Sequence, residues 1–312
     1  MSKCYECPRQ CGADRSAGKS GFCRVGEDFS VAKIMIHRFE EPCICADGGA
    51  GAIFFSGCNL GCVFCQNRDI SGAAVGKSMT DGELEREIFS LVERGANCVE
   101  FITPSHYTAK IAALLDRIKS KIPVPVVWNS NAYEKVETLR SLDGLVDVYL
   151  PDFKYFSPEL ARKYSSASDY PSVALAAVKE MVRQMGAPVF FEDNRTINDS
   201  NSAEKGEKMI KSGVIVRHLV LPSHRADSIA ALELLAREIG TDNVLLSLMS
   251  QYTPDFYIEY ERENGARDEL KNLRRRVTSF EYNSVAKVAE ALGFDGYFQS
   301  RESASSSYTP DF

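Results

Sequence analysis

Gly57-Cys58-Asn59-Leu60-Gly61-Cys62-Val63-Phe64-Cys65 follows directly on an apolar run at 52–56. Its cysteines are spaced C-x₃-C-x₂-C, three thiols within eight residues. No Cys or His follows closely behind, so one metal position lacks a local protein ligand. Closed structural zinc sites take four ligands, whereas reactive sites keep one position open. An iron–sulfur cluster is normally held by four thiolates, so three leave one iron free to bind something else. A zinc loop completed by a distant His37 or His106 is the competing reading, but zinc sites more often pair their ligands two plus two.

Outward from this loop, apolar runs at 52–56, 98–103, 124–128, 146–150, 189–191, 214–221 and 244–248 alternate with helical stretches. Leu84, Ile88, Leu91 and Val92 make one helical face, opened by a Thr80…Glu83 capping box. Ile111, Leu114, Leu115 and Ile118 make a second, and Leu232, Leu235, Ala236 and Ile239 a third. A last helix over about 279–292 starts at a Thr278…Glu281 capping box and stops at Gly293. Strand and helix in regular alternation predict βαβ units, hence an α/β fold with a parallel sheet closing partly or almost completely into a (βα) barrel. Functional residues then belong at the C-terminal ends of strands, where the cysteine loop lies.

The chain has 312 residues, 44% of them hydrophobic and 26% charged, which suits a soluble protein with an ample core. No run of 18 apolar residues appears and the first residues show no apolar leader, so a cytoplasmic protein without a membrane partner is expected. A formal charge of −6 argues against nucleic acid held by bulk electrostatics. The basic run Arg274-Arg275-Arg276 reads as a solvated approach to the last helix.

Nine of the ten cysteines fall within the first 65 residues, and in a reducing compartment such crowding points to metal rather than disulfides. Cys98 alone lies later, in an apolar strand context that suits a buried, inert thiol. Cys4, Cys7, Cys11 and Cys23 supply four ligands for a second, closed site, and their spacing suits zinc or a second iron–sulfur cluster equally. Cys43 and Cys45 either replace one of these ligands or are free thiols. The expected organisation is a Cys-rich amino-terminal module and linker over 1–45, a core barrel with its C-terminal helix over 46–300, and a flexible tail over 301–312. Tyr-Thr-Pro-Asp-Phe occurs at 252–256 and again at 308–312. Two unrelated turns account for this, or else the tail folds back over the barrel mouth near its internal copy.

The loop, with Phe64 before its last cysteine, resembles the cluster loop of the radical S-adenosylmethionine (SAM) superfamily. The wider string 51–67 resembles the branch related to pyruvate formate-lyase activating enzymes, and Cys4-x₂-Cys-Pro-Arg-x-Cys-Gly with Gly21-Phe-Cys23 is similar to an iron–sulfur protein subgroup of that branch. The resemblance covers most of residues 1–300. It implies a [4Fe–4S] cluster on Cys58, Cys62 and Cys65, with S-adenosyl-L-methionine chelating the fourth iron beside Phe64. One electron from a flavodoxin- or ferredoxin-type donor then releases methionine and a 5′-deoxyadenosyl radical, which takes a hydrogen atom from the substrate.

Further cofactor contacts are implied at strand ends. Where this superfamily usually has a Gly-Gly-Glu-like turn, the chain has Thr103-Pro-Ser105-His106, so hydroxyls, carbonyls or the imidazole must serve, unless His106 merely begins the next helix. Asn129 and Asn131 offer amides to ribose or carboxylate, or else cap a turn. Asp152 and Lys154 match the Asp-x-Lys of the activating enzymes, Lys154 meeting the methionine carboxylate, and Arg217 is a carboxylate binder. The substrate expected from this branch is a protein backbone, with a glycyl radical as product. Radical modification of another protein or a small molecule, and a non-catalytic two-cluster electron carrier, are the alternatives.

Overall fold

The structure, a computed structural model, describes residues 3–45, 48–192 and 208–299. Its strands are β1 (Phe29–His37), β2 (Ala50–Phe55), β3 (Lys77–Met79), β4 (Cys98–Ile102), β5 (Val126–Ser130), β6 (Val148–Pro151), β7 (Val189–Phe190), β8 (Ile210–Leu219), β9 (Leu245–Met249) and β10 (Gly296–Phe298). They pair in the order β10-β9-β8-β6-β5-β4-β2-β1-β3. From β2 to β10 the pairing is parallel, while β1 and β3 add antiparallel strands at one edge. β10 and β3 stand at opposite edges, so the sheet is an incomplete barrel. The run at 189–191, read as a barrel strand, is instead the two-residue β7, antiparallel to β8 and off the main path. Among the described residues no helix is long and apolar enough to cross a membrane.

Side chains alternate between the two faces of each strand. Val99, Phe101, Val126, Trp128, Tyr149, Val214, Val216, Leu246 and Leu248 pack with Leu84, Ile88, Ile111, Leu115, Leu232 and Leu235 from the predicted helical faces. The other face encloses a second apolar layer of Ala50, Cys98, Val127, Val148, Ile215 and Leu245, plugged by Cys43, Ile44 and Cys45. Residues 40–45, counted with the amino-terminal module and linker, thus carry the short helix Pro42–Cys45 and close the floor of the barrel. Burial pushes the Cys45 thiol upward, as does the nearby Glu40 carboxylate. Both Cys43 and Cys45 pack in the floor beside Cys98, in an apolar cluster that excludes Cys4, Cys7, Cys11 and Cys23. β1 and Pro42–Cys45, on the amino-terminal side of the expected boundary at 45, are therefore part of the sheet and its filling. The predicted tail, with the second Tyr-Thr-Pro-Asp-Phe, lies outside the described residues. The internal copy begins with buried Tyr252, whose ring meets Phe64 edge-on at 6.1 Å between centroids.

Candidate functional site

The cysteine loop leaves β2 through Gly57, whose φ of +78° suits a residue without a side chain. A Cβ there would also lie 2.2 Å from the carbonyl oxygen of Cys23. Gly61, at φ +79°, makes the second tight bend between Cys58 and Cys62. Each sulfur accepts a hydrogen bond from a different part of the chain. Asn131 Nδ2 reaches Cys58 Sγ at 3.4 Å, Ser165 Oγ reaches Cys62 Sγ at 3.0 Å, and Ser71 Oγ reaches Cys65 Sγ at 3.4 Å. The loop is anchored by Asn59, which donates to the Tyr133 carbonyl at 2.7 Å and accepts from Asn131 Nδ2 at 2.8 Å. Asn59, Ser71 and Ser165 carry no sequence signal of this role, since two of them reach the loop only after the chain has folded around it.

Burial pushes the Cys62 thiol up, partly offset by the nearby Lys154 ammonium. Burial, with the neighbouring Cys62, pushes Cys65 up to about 12. A metal binding to these sulfurs would have to displace their protons. Among the described residues no three His, Cys, Asp or Glu side chains converge on a single ion. Three soft sulfurs, each with its own hydrogen-bond donor, fit three of the four thiolate positions of a [4Fe–4S] cluster.

The three cysteines line one side of a cavity of about 690 Å³ on the inner face of the sheet. Phe64 lies on the same wall, with Thr103 from the end of β4 and Asn129 and Asn131 from β5 and its loop. Asp152 and Lys154 enter beyond β6, and Arg217 from β8. Ser105 and His106 do not line it. His106 is buried behind the sheet, its Nε2 2.9 Å from the Ser56 carbonyl oxygen, and burial together with Arg15 pulls its pKa down to about 3. It lies within the Pro104–Tyr107 turn that precedes helix Thr108–Ile118.

The polar residues of the cavity form one network. Asp152 takes Lys154 Nζ at 2.7 Å and Arg217 Nε at 2.9 Å, while Arg217 also donates to Asn129 Oδ1 at 2.6 Å. Burial disfavours the Asp152 carboxylate, but Arg217 and Lys154 outweigh it and hold the pKa below its usual value. On the other side Asn129 Nδ2 donates to Glu100 at 2.7 Å, and Glu40 lies 3.6 Å from Arg217. Burial raises both glutamates; the Glu40 carboxylate adds to the shift at Glu100, while at Glu40 the Asp152 carboxylate adds to it and Arg217 opposes it. Glu40, Glu41 and Glu100 are site residues that the sequence reading missed. The period-2 position of Glu100 within an otherwise apolar strand was the available signal, because a charge there must face a polar interior.

The amino-terminal cysteines sit against the outside of this loop. Cys4 pairs with Ala13 in a short turn, and Gly21 lets the Cys11 sulfur close in, since a Cβ there would lie 2.3 Å from it. Burial pushes Cys7 up to about 11, and Cys23, Cys4 and Cys11 nearby add to the shift. Arg15 donates to Cys23 Sγ at 3.4 Å.

Residues 52–197 match the family model of the Radical SAM superfamily. The chain is 28% identical over 304 residues to the uncharacterized protein MJ0674 of Methanocaldococcus jannaschii, covering 95% of this chain and 76% of that one. Superposition on the crystal structure of a methylornithine synthase gives a TM-score of 0.46 at 14% identity, over 77% of this chain; it spans 63% of that protein's chain.

Proposed function

We propose that the protein is a radical SAM enzyme that takes a hydrogen atom from a peptide or protein backbone, in the manner of the activating enzymes that install glycyl radicals. The observation carrying this reading is the placement of Cys58, Cys62 and Cys65 on the wall of a cavity lined by Asn129, Asn131, Asp152, Lys154 and Arg217. An electron carrier has no need of such a cleft, and the superfamily match over residues 52–197 supports the same reaction class.

Cys58, Cys62 and Cys65 would hold the [4Fe–4S] cluster, and SAM on its open iron would supply a 5′-deoxyadenosyl radical by one-electron reductive cleavage. Lys154 lines the cavity and its charge acts on Cys62, so it suits a carboxylate bound there. Arg217, already committed to Asp152 and Asn129, orients those side chains more than it offers a free charge. Thr103 and Asn131 present a hydroxyl and an amide at the rim of the cavity. Leu60, Val63 and Phe64 are buried and shield the loop from water. The four amino-terminal cysteines would hold a second metal, zinc or a further iron–sulfur cluster.

Anaerobically reconstituted, reduced protein should convert SAM to 5′-deoxyadenosine and methionine, and Cys62→Ala should abolish this. Intact reduced cluster without cleavage would sink the proposal. Incubation with a candidate glycyl-radical partner separates the substrates, since an electron paramagnetic resonance signal on the partner is expected and its absence would favour a different radical modification. Iron, sulfide and zinc counted per chain in Cys7→Ser against the parent test the second site.

A further inference from the structure

We infer that Arg9 is a positioning residue through which the amino-terminal cysteine segment holds the cluster loop against Ser165, and so sets the hydrogen bond on the Cys62 sulfur. The inference rests on the proposed function only in taking Cys62 as a cluster ligand. Arg9 sits in Cys7-Pro8-Arg9-Gln10-Cys11, between two of the four amino-terminal cysteines. Its guanidinium spends its donors on four carbonyl oxygens. Nε donates to Asn59 at 2.8 Å and one terminal nitrogen to Leu60 at 3.1 Å, both on the loop between Cys58 and Cys62. The same terminal nitrogen reaches Ser165 at 3.2 Å, and the other reaches Ser166 at 2.6 Å.

Ser165 closes helix Pro158–Ser165, and Ser166 caps it at φ +53°. Carbonyls at a helix C-terminus lack intrahelical partners and carry partial negative charge, so a cation is favoured there. One rigid, planar group therefore clamps two segments more than 100 residues apart in sequence. It is packed over the Phe22 ring at 4.0 Å and 5.3 Å from the Tyr133 ring. A lysine offers one nitrogen without the fork or the plane and cannot make this pattern.

What the clamp positions is chemically specific. The Ser165 hydroxyl donates to Cys62 Sγ at 3.0 Å and is itself 2.7 Å from the Tyr155 hydroxyl. Hydrogen bonds to cluster sulfurs stabilise the reduced state and raise the reduction potential. Loosening Arg9 should release Ser165 from Cys62 without removing any ligand.

Two readouts test this, one on the metal-free protein and one on the cluster. In metal-free protein, Arg9→Lys should speed hydrogen exchange of the amides of residues 59–62 and 165–167 by about tenfold, with distant strands unaffected. In reconstituted protein, Arg9→Lys should lower the reduction potential of the loop cluster in the same direction as Ser165→Ala, and the double variant should fall no further. Unchanged local exchange, or a potential equal to that of the parent, would overturn the inference. If Arg9→Lys does not fold, Phe22→Leu decides, because it uncovers one face of the guanidinium while leaving the fork. Faster exchange over the same amides supports the clamp, and unchanged exchange overturns it. Failure of the parent to cleave SAM would refute the proposed function while leaving the exchange result standing.

Discussion

Thr103 holds a φ of +58° at the end of β4, inside the cavity rim. A β-branched residue in the left-handed region is a true outlier, costing about 1–2 kcal/mol against its relaxed state. Thr103→Gly should therefore raise stability, by about 0.5–1 kcal/mol once the extra freedom of glycine in the unfolded chain is deducted. Urea unfolding of metal-free protein measures it, and a loss of stability would show that the Thr103 side chain contributes more than its strain costs. At this scale the sequence singled out the loop cysteines, Asp152, Lys154 and Asn131, and the structure gathers all of them around one cavity. The sequence was a poor guide to Ser71 and Ser165, because a serine hydroxyl acquires its role only from the sulfur it meets.

Among the elements, both capping boxes form as the sequence indicates. Thr80 accepts from the Glu83 backbone while the Glu83 carboxylate accepts from that of Thr80, and Thr278 and Glu281 do the same. These signals are local, needing four residues and no tertiary partner, which is why they were legible. Thr80→Ala should cost about 1 kcal/mol of stability, read from the shift in denaturation midpoint, and an unchanged midpoint would mean the first turn is held by packing alone. Strand ends shifted by up to four residues from the apolar runs, and β3 and β10 escaped notice because three-residue edge strands carry too little periodicity. The end of the expected linker, residues 40–45, was misjudged for a different reason. Glu40 and Glu41 look like surface residues, and only the closing sheet turns them inward beside Arg217.

Enclosing those carboxylates should give the whole molecule a pH signature. Burial pushes Glu41 up to about 7, despite Arg217 nearby. In the window between the ordinary carboxylate value and 7 the folded chain keeps a proton that the unfolded chain has lost. Stability contributed by this group is thus present at low pH and falls as pH rises through 7, by roughly 3 kcal/mol in the limit. Denaturation of metal-free protein from pH 5 to 8 should show this decline, and Glu41→Gln should flatten it; an equal slope in the variant would refute the assignment. Taken alone, the sequence determined the thiol loop, the alternation of strands and helices, and the caps, because each is written in spacings of two to four residues. The tertiary structure alone decided that Arg9, Ser165 and the Glu40–Glu41 pair act at that loop and its cavity, because their contacts span tens to more than a hundred residues and exist only once the sheet has curved.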